Sequence, residues 1–431
     1  MKAIYLFLCL NFIAFFAQGQ GIAFFEGNYE TALAKAKQEG KLLFVDFYAT
    51  WCGPCKQMAQ NEFPKKEVGD YFNKHFVAIQ LDAEQSANRE IVKRCKIKAY
   101  PTLAIFDGDG KILSIISGAL DAAALLDMAK VATGEKLSFT EIYGKYRKSK
   151  GDLKLLQEVL MEAPSFVGTL EDDMEREKWI VRVTKLYQEY VKKKMGPDFI
   201  NKEDYNIVLT FHENKGVPND PIVEFINKHI DDYLKLGEGP AYFVMENNNQ
   251  VIENLAHAGK IEYRKYLDRI KGDMGKAYTV ADMGSKLPVY DRFRYLYDAE
   301  YELFYKKDAD AYVNLMDEYF SAMDTTVINL EYGSAAQKVY QALGGNVSEQ
   351  VRRKTIDWTL KALNGEMAIV ERLNMLVLLG DIYRDMKNVE EARKCYNQAF
   401  MESLQVEQDM TKAMLQMHIQ QRLGELELIN N

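Results

Sequence analysis

Residues 51–56 of this chain read Trp51-Cys52-Gly53-Pro54-Cys55-Lys56, and this motif is the strongest indication of how the first part of the chain folds. It follows residues 42–48, a run that is too short and too uniformly apolar for a surface element and is typical of a central strand covered on both faces. Pro54 suits the first turn of a helix, where its fixed φ and missing N–H cost nothing. The sequence therefore predicts two cysteines between a buried strand and a helix, where they can form and break one disulfide.

The residues around this motif predict alternating helices and strands. Small and apolar residues recur at helical spacing after Asn28, a good N-cap, until Gly40 ends the segment. The further predicted elements are strands at 76–81, 103–106 and 111–116, a turn at 107–110 that joins the last two into an edge hairpin, helical stretches between the strands, and a last helix from Asp121 to Gly134. This order implies a mixed sheet with helices on both faces.

Four features stand in the order found in the thioredoxin family. They are the cysteine pair, its position between strand and helix, Asp46 inside that strand, and Tyr100-Pro101-Thr102 before a hairpin. Over about residues 24–134 the chain resembles this family, and Glu62-Phe63-Pro64 is more similar to secreted thioredoxin-like domains than to cytosolic thioredoxin. The resemblance implies an α/β thioredoxin fold.

The position of the cysteines predicts two different roles. Cys52 would lie where the unpaired N–H groups and the positive end of the helix dipole converge, which favours its thiolate. We therefore expect Cys52 to be the exposed, attacking sulfur and Cys55, one turn further in, to resolve the mixed disulfide. A permanent structural disulfide is the alternative, although so short a loop constrains the unfolded chain little.

Asp46 is predicted to be a buried acid with a raised pKa, because the apolar residues beside it disfavour its ionised form. In thioredoxins the equivalent acid is given the role of general base for the second cysteine, often with a Lys on the adjacent strand. Strand 76–81 has no Lys, and Gln80 is its nearest polar candidate. The alternative is that Asp46 only caps local backbone.

The resemblance also implies a substrate-binding surface. Pro101 is expected to be cis and to lie against the disulfide, with the backbone before it pairing with an extended substrate chain. A trans, turn-forming proline is the alternative. Trp51 would shield Cys52, or would simply pack. The predicted substrate-binding residues are Trp51, Gly53, Pro54, Tyr100, Pro101 and Thr102.

Charge and cysteine usage exclude several classes of protein. The chain has 431 residues, a net charge of -8 and a pI near 5.5, so binding to nucleic acid or anionic lipid is not expected. Cys95 and Cys395 are single and are predicted to be core residues. The five His are scattered, so no metal site is predicted. The expected redox group is the Cys52–Cys55 disulfide, without a further cofactor.

Residues 1–19 are predicted to be a signal peptide. Lys2 precedes an apolar segment at 4–16, and Ala17-Gln18-Gly19 has the small-x-small pattern of a cleavage site. A retained membrane anchor is the alternative, although the apolar run is shorter than the ~20 residues that span a bilayer. No other segment could span one, so we expect a secreted or periplasmic protein without an integral membrane segment after cleavage.

The sequence predicts two domains after the signal peptide: a thioredoxin-like domain at 20–135 and an all-helical domain at 136–431. A division of the helical domain into two subdomains is the alternative to a single one. Residues 373–400 resemble one tetratricopeptide repeat, on the spacing of Leu376, Gly380, Tyr383 and Tyr396. The helical domain is expected to be a loosely repeat-like series of helical hairpins. It could bind clients, or it could be a structural domain without a groove.

Two classes of function follow. The first is an exported thiol:disulfide oxidoreductase of thioredoxin type, which reduces or exchanges disulfides of client proteins, takes electrons from a membrane donor, and uses its helical domain to hold clients or partners. The second is a non-catalytic, chaperone-like interaction protein that uses the thioredoxin domain as a docking module.

Overall fold

The structure, a computed structural model, describes residues 21–429 except 171, 214, 215 and 283. The predicted signal peptide therefore lies outside the described residues. The chain folds into two compact units, one that ends at Lys194 and one that begins at Met195. The predicted domain boundary at residue 135 lies inside the first unit.

The first unit contains the predicted alternation of helices and strands. Its helices are α1 (Tyr29–Glu39), α2 (Gly53–Asn61), α3 (Lys66–His75), α4 (Arg89–Arg94), α5 (Ala122–Thr133), α6 (Phe139–Lys148), α7 (Leu153–Gly168) and α8 (Asp173–Lys194), and its strands are β1 (Leu42–Tyr48), β2 (Phe76–Asp82), β3 (Thr102–Phe106) and β4 (Ile112–Ser117). Local sequence explains the helix ends: Asn28 and Asp121 cap α1 and α5 with their side chains, and Gly40 and Gly134 end them in the left-handed region.

The described strands form one mixed sheet in the order β2-β1-β3-β4. β1 runs parallel to β2 and antiparallel to β3, which pairs in turn with β4 as an edge hairpin. This confirms the predicted fold class. In the register of the sheet, Asp46 lies beside Gln80 of β2 and Leu103 of β3.

Helices cover both faces of the sheet, because side chains alternate along the central strand. Leu43, Val45 and Phe47 pack on the face covered by α1 and α4. Phe44 packs on the opposite face with residues of α2, α3 and α5. Asp46 shares the parity of Phe44 and so points to the side of the sheet on which α2 begins.

The regular secondary structure of the second unit is all helical in the residues that the structure describes, as predicted. Its helices are α9 (Lys202–Phe211), α10 (Pro221–Lys228), α11 (Ile230–Tyr233), α12 (Gly239–His257), α13 (Tyr263–Lys271), α14 (Gly275–Tyr278), α15 (Val289–Glu300), α16 (Ala309–Met323), α17 (Asn329–Leu343), α18 (Glu349–Leu363), α19 (Ile369–Asp385), α20 (Val389–Glu402) and α21 (Asp409–Ile429), with a π-helical turn at Tyr301–Tyr305. None of the helices in the described ranges is long and apolar enough to cross a membrane.

α19 and α20 form the helical hairpin predicted at 373–400. The two helices approach so closely at Gly380 that an added Cβ would lie 2.4 Å from the ring of Tyr396. Tyr396 is fully buried, and its hydroxyl donates a hydrogen bond to Asp381. The assignment of this hairpin to the tetratricopeptide class stays a prediction.

Candidate active site

Cys52 and Cys55 form a disulfide at the start of α2, with their Cα atoms 5.4 Å apart. Cys52 is the N-cap residue, and its sulfur accepts a hydrogen bond from the backbone N–H of Cys55 at 3.1 Å. Gly53 and Pro54 complete the first turn and are both exposed. The sulfur atom of Cys52 therefore occupies the anion-favouring end of the helix.

The disulfide is shielded more than the sequence suggests. Only 2% of Cys52 is exposed, because Ala49, Tyr48 and Tyr100 pack against the cysteine pair. The expectation that Cys52 is exposed is therefore wrong for the disulfide form. Trp51, by contrast, is 66% exposed, and its ring contacts that of Tyr100 edge-on at a centroid distance of 5.8 Å.

The segment before β3 contributes the other wall of the site. The Tyr100–Pro101 peptide bond is cis. Thr102 is buried, and its hydroxyl donates to the carbonyl oxygen of Ala99 at 2.7 Å, which ties the two sides of the proline together. Tyr100 belongs to the same apolar cluster as the two cysteines, so the structure brings this loop and the disulfide into contact.

Asp46 is 1% exposed. Its Oδ2 atom accepts a hydrogen bond from Gln80 Nε2 at 2.9 Å, while Oδ1 has no hydrogen-bond partner among the described residues. Burial raises the pKa of Asp46 to about 6, and the hydrogen bond from Gln80 offsets part of that effect. Gln80, the polar residue that the sequence analysis named as the candidate partner of Asp46, does bind its carboxyl group. With a pKa near 6, Asp46 is able to exchange a proton near neutral pH.

Glu84 is a site residue that the sequence reasoning missed. Its Oε1 atom accepts a hydrogen bond from the indole Nε1 of Trp51 at 3.0 Å. The loop that carries Glu84 follows β2, and the cysteine motif follows β1. Because parallel strands end at the same edge of a sheet, an acidic residue in the loop after β2 could have been expected near Trp51.

Comparison with known proteins agrees with this geometry. A family model described as a thioredoxin-like domain matches residues 29–132. The chain is 33% identical over 106 residues to the thiol:disulfide interchange protein DsbD of Pseudoalteromonas atlantica, a match of 24% of this chain and 18% of that protein. It is 32% identical over 110 residues to a protein disulfide-isomerase of Triticum aestivum, a match of 25% of this chain and 20% of that protein.

One solved structure matches over its whole length. It is a candidate disulphide-isomerase from Bacteroides thetaiotaomicron, solved in solution, with 42% sequence identity and a TM-score of 0.26, and the match covers 28% of this chain and 99% of that chain. By contrast, this chain spans only about a fifth of the length of the DsbD protein and of the Triticum aestivum protein disulfide-isomerase.

Proposed function

The chain carries a thioredoxin-like domain at residues 29–132, and from this we propose that the whole protein is an exported thiol:disulfide oxidoreductase that reduces or exchanges disulfides of client proteins. The observation that carries the proposal is the Cys52–Cys55 disulfide, which closes over the first turn of α2 with the Cys52 sulfur as the helix cap. A structural disulfide would gain little from so short a loop.

The reaction passes one pair of electrons. In the reduced protein, the Cys52 thiolate attacks one sulfur of a client disulfide, so that a mixed disulfide forms and the other client sulfur leaves as a thiolate. Cys55 then loses its proton and attacks the Cys52 sulfur. The second client sulfur leaves, and the Cys52–Cys55 disulfide remains. The client has gained two electrons, and the protein has lost them.

We assign to Asp46 the acceptance of the Cys55 proton. A carboxyl group with a pKa of about 6 is mostly ionised at pH 7 yet basic enough to accept a proton from a thiol. Asp46→Asn keeps the shape of the side chain but removes the base. It should slow resolution of the mixed disulfide more than the attack of Cys52, and equal slowing of both steps in stopped-flow measurements would contradict the assignment.

Clients would dock beside the cysteine pair. The exposed faces of Trp51, Gly53 and Pro54 form one side of the approach to Cys52, and Tyr100 lies on the other side within the same apolar cluster. An extended client chain can pair with backbone next to Pro101, in the manner of strand addition. Tyr100 and Trp51 are large, so they favour a flat, apolar segment next to the client disulfide.

The proposed reaction also requires an electron donor and a location in the cell. An exported reductant must be reduced again, and the proposed electron donor is a membrane carrier on the same side as the protein. Export rests on the predicted signal peptide. The helical domain, residues 136–431, is proposed to hold clients or partners.

Insulin reduction by the purified full-length protein tests the proposal. Wild type should catalyse the precipitation of insulin chains in the presence of dithiothreitol, and Cys52→Ser should reduce turnover to the uncatalysed rate. Cys95→Ser is the matched control, because Cys95 is a buried free cysteine of the same unit. No turnover by wild type would favour a docking module instead, and undiminished turnover of Cys52→Ser would refute the assignment of the nucleophile.

A further inference from the structure

Glu253, His257 and Glu300 come together in the helical unit. Glu253 and His257 are four residues apart on α12 and therefore share one face of that helix. Glu300 is the last residue of α15. Each of the three offers a ligand atom, and these atoms all lie within 4.8 Å of one another. The sequence predicts no metal site, since its His residues are scattered, but the fold brings one of them between two carboxylates.

Glu300 is only 3% exposed, and a basic side chain lies beside each of its two carboxylate oxygens. Its Oε2 atom lies 3.0 Å from His257 Nε2, and its Oε1 atom accepts a hydrogen bond from the Lys338 ammonium. Lys338 occupies one oxygen, so the other faces the imidazole.

The ring of His257 is fixed in this orientation. It stacks on Phe304 at a centroid distance of 4.0 Å and an interplanar angle of 25°. Phe304 belongs to the π-helical turn Tyr301–Tyr305, which begins directly after Glu300. Turns of this kind are rare and frequently occur at functional sites. The π-helical turn therefore supplies the ring that packs on the imidazole, and it directly follows Glu300.

Glu253 is half-buried and lacks a cation. Among the residues that the structure describes, its side chain makes no ion pair, and its hydrogen bond is a long one of 3.5 Å from Gln250 Nε2. Lys338 balances the charge of one carboxylate only. Glu253 is therefore a carboxylate in a partly buried position without a Lys or Arg partner among the described residues, which favours a bound cation.

We propose that Glu253, His257 and Glu300 bind a divalent transition-metal ion, with zinc as the best fit. One imidazole nitrogen and two carboxylate oxygens are donors that zinc takes at about 2.0–2.2 Å. Such donors lie about 3.3 Å apart around a tetrahedral ion, so small side-chain rotations would close the site. Three protein ligands leave a fourth position for water. Lys338 acts as a positioning residue, because its hydrogen bond to Oε1 of Glu300 orients that carboxylate, whose Oε2 atom faces His257.

Zinc titration of the full-length protein tests this inference. The protein is stripped with EDTA and kept in its disulfide form, because a reduced Cys52–Cys55 pair could itself bind zinc. Isothermal titration calorimetry with zinc chloride should show one ion per chain. Glu253→Gln and His257→Gln should each weaken binding at least tenfold. His418→Ala is the control, since His418 is exposed on α21 and should leave binding unchanged.

The two ligand variants keep the test decisive. Glu253→Gln preserves the shape of a half-buried side chain, and circular dichroism checks that both variants fold. Absence of zinc binding to the wild-type disulfide form, or zinc binding that neither variant weakens, would overturn the inference. Because none of these residues belongs to the disulfide site, insulin turnover of the variants should match wild type, so failure here is distinguishable from failure of the proposed function.

Discussion

Asp46→Asn should stabilise the protein at alkaline pH and have little effect in acid. The pKa of Asp46 lies near 6 in the folded protein and near 3.8 without burial, and each pH unit between these values is worth about 1.4 kcal/mol. The ionised carboxylate therefore lowers the free energy of unfolding by about 3 kcal/mol at pH 8. Below pH 3.8 the carboxyl group is protonated in both the folded and the unfolded protein, so its burial does not oppose ionisation there. The free energy of unfolding then falls as the pH rises from 3.8 through about 6.

The substitution removes this pH dependence. The amide oxygen of the new side chain would still accept the hydrogen bond from Gln80, and its NH₂ group would replace an oxygen that already has no partner among the described residues. We expect the stabilisation by Asp46→Asn to be about 2 kcal/mol larger at pH 8 than at pH 4. Since the chain has two compact units, the unfolding of β1 in urea should be followed by pulsed hydrogen exchange and mass spectrometry of peptides that cover it, with the disulfide intact.

Two results would refute the reasoning on Asp46. One is an equal effect of Asp46→Asn at pH 4 and pH 8, which would mean that the carboxyl group does not titrate between these values. The other is a net destabilisation at pH 8, which would mean that the ionised carboxylate is better accommodated than its burial suggests. Gln80→Ala provides a companion variant, because removal of the donor should raise the pKa of Asp46 further and increase the pH dependence.

Further predictions concern the helical hairpin and the edge of the active site. Gly380→Ala should destabilise the protein by about 1–3 kcal/mol in thermal unfolding, because the new Cβ would meet the ring of Tyr396 at 2.4 Å. Gly424→Ala is the matched control: no atom lies within 4 Å of its added Cβ in α21, so it should stabilise by about 0.5–1 kcal/mol. Glu84→Gln should weaken the hydrogen bond to the Trp51 indole, since a neutral acceptor is weaker than a carboxylate. The Trp51 fluorescence of this variant should become more accessible to iodide, and accessibility equal to wild type would contradict a restraining role for Glu84.

Local sequence was sufficient for the elements of the first unit. Asn28, Gly40 and Gly134 act on the residues next to them, so the ends of α1 and α5 could be predicted from the caps alone. The central position of β1 followed from the apolar residues on both of its faces, because only a strand covered on both sides can bury them all. The expectation that Gln80 lies near Asp46 came from the resemblance to thioredoxins, and the register of β1 and β2 places the two residues side by side.

Contacts between distant segments could not be predicted in the same way. The burial of Cys52 depends on Tyr100, which reaches the cysteines only through the packing of the loop before β3. Glu84 meets Trp51 across 33 residues of sequence, and Glu300 meets His257 across 43. The π-helical turn at Tyr301–Tyr305 could not be predicted, because its aromatic residues have the spacing of an ordinary α-helix. Tertiary packing determines such arrangements, and the periodicity of helices and strands in the sequence carries no information about it.

Mapping of the mixed disulfide shows which of the two sulfur atoms attacks a client disulfide and which resolves it. The full-length Cys52→Ser and Cys55→Ser variants are each reacted with a peptide disulfide, and the products are digested and sequenced by mass spectrometry without reduction. We expect Cys55→Ser to accumulate the peptide on Cys52 and Cys52→Ser to react at least tenfold more slowly, because only the Cys52 sulfur caps α2. Faster capture by Cys55 in the Cys52→Ser variant, or capture chiefly at Cys95 or Cys395 in both variants, would contradict the proposed order of attack and resolution.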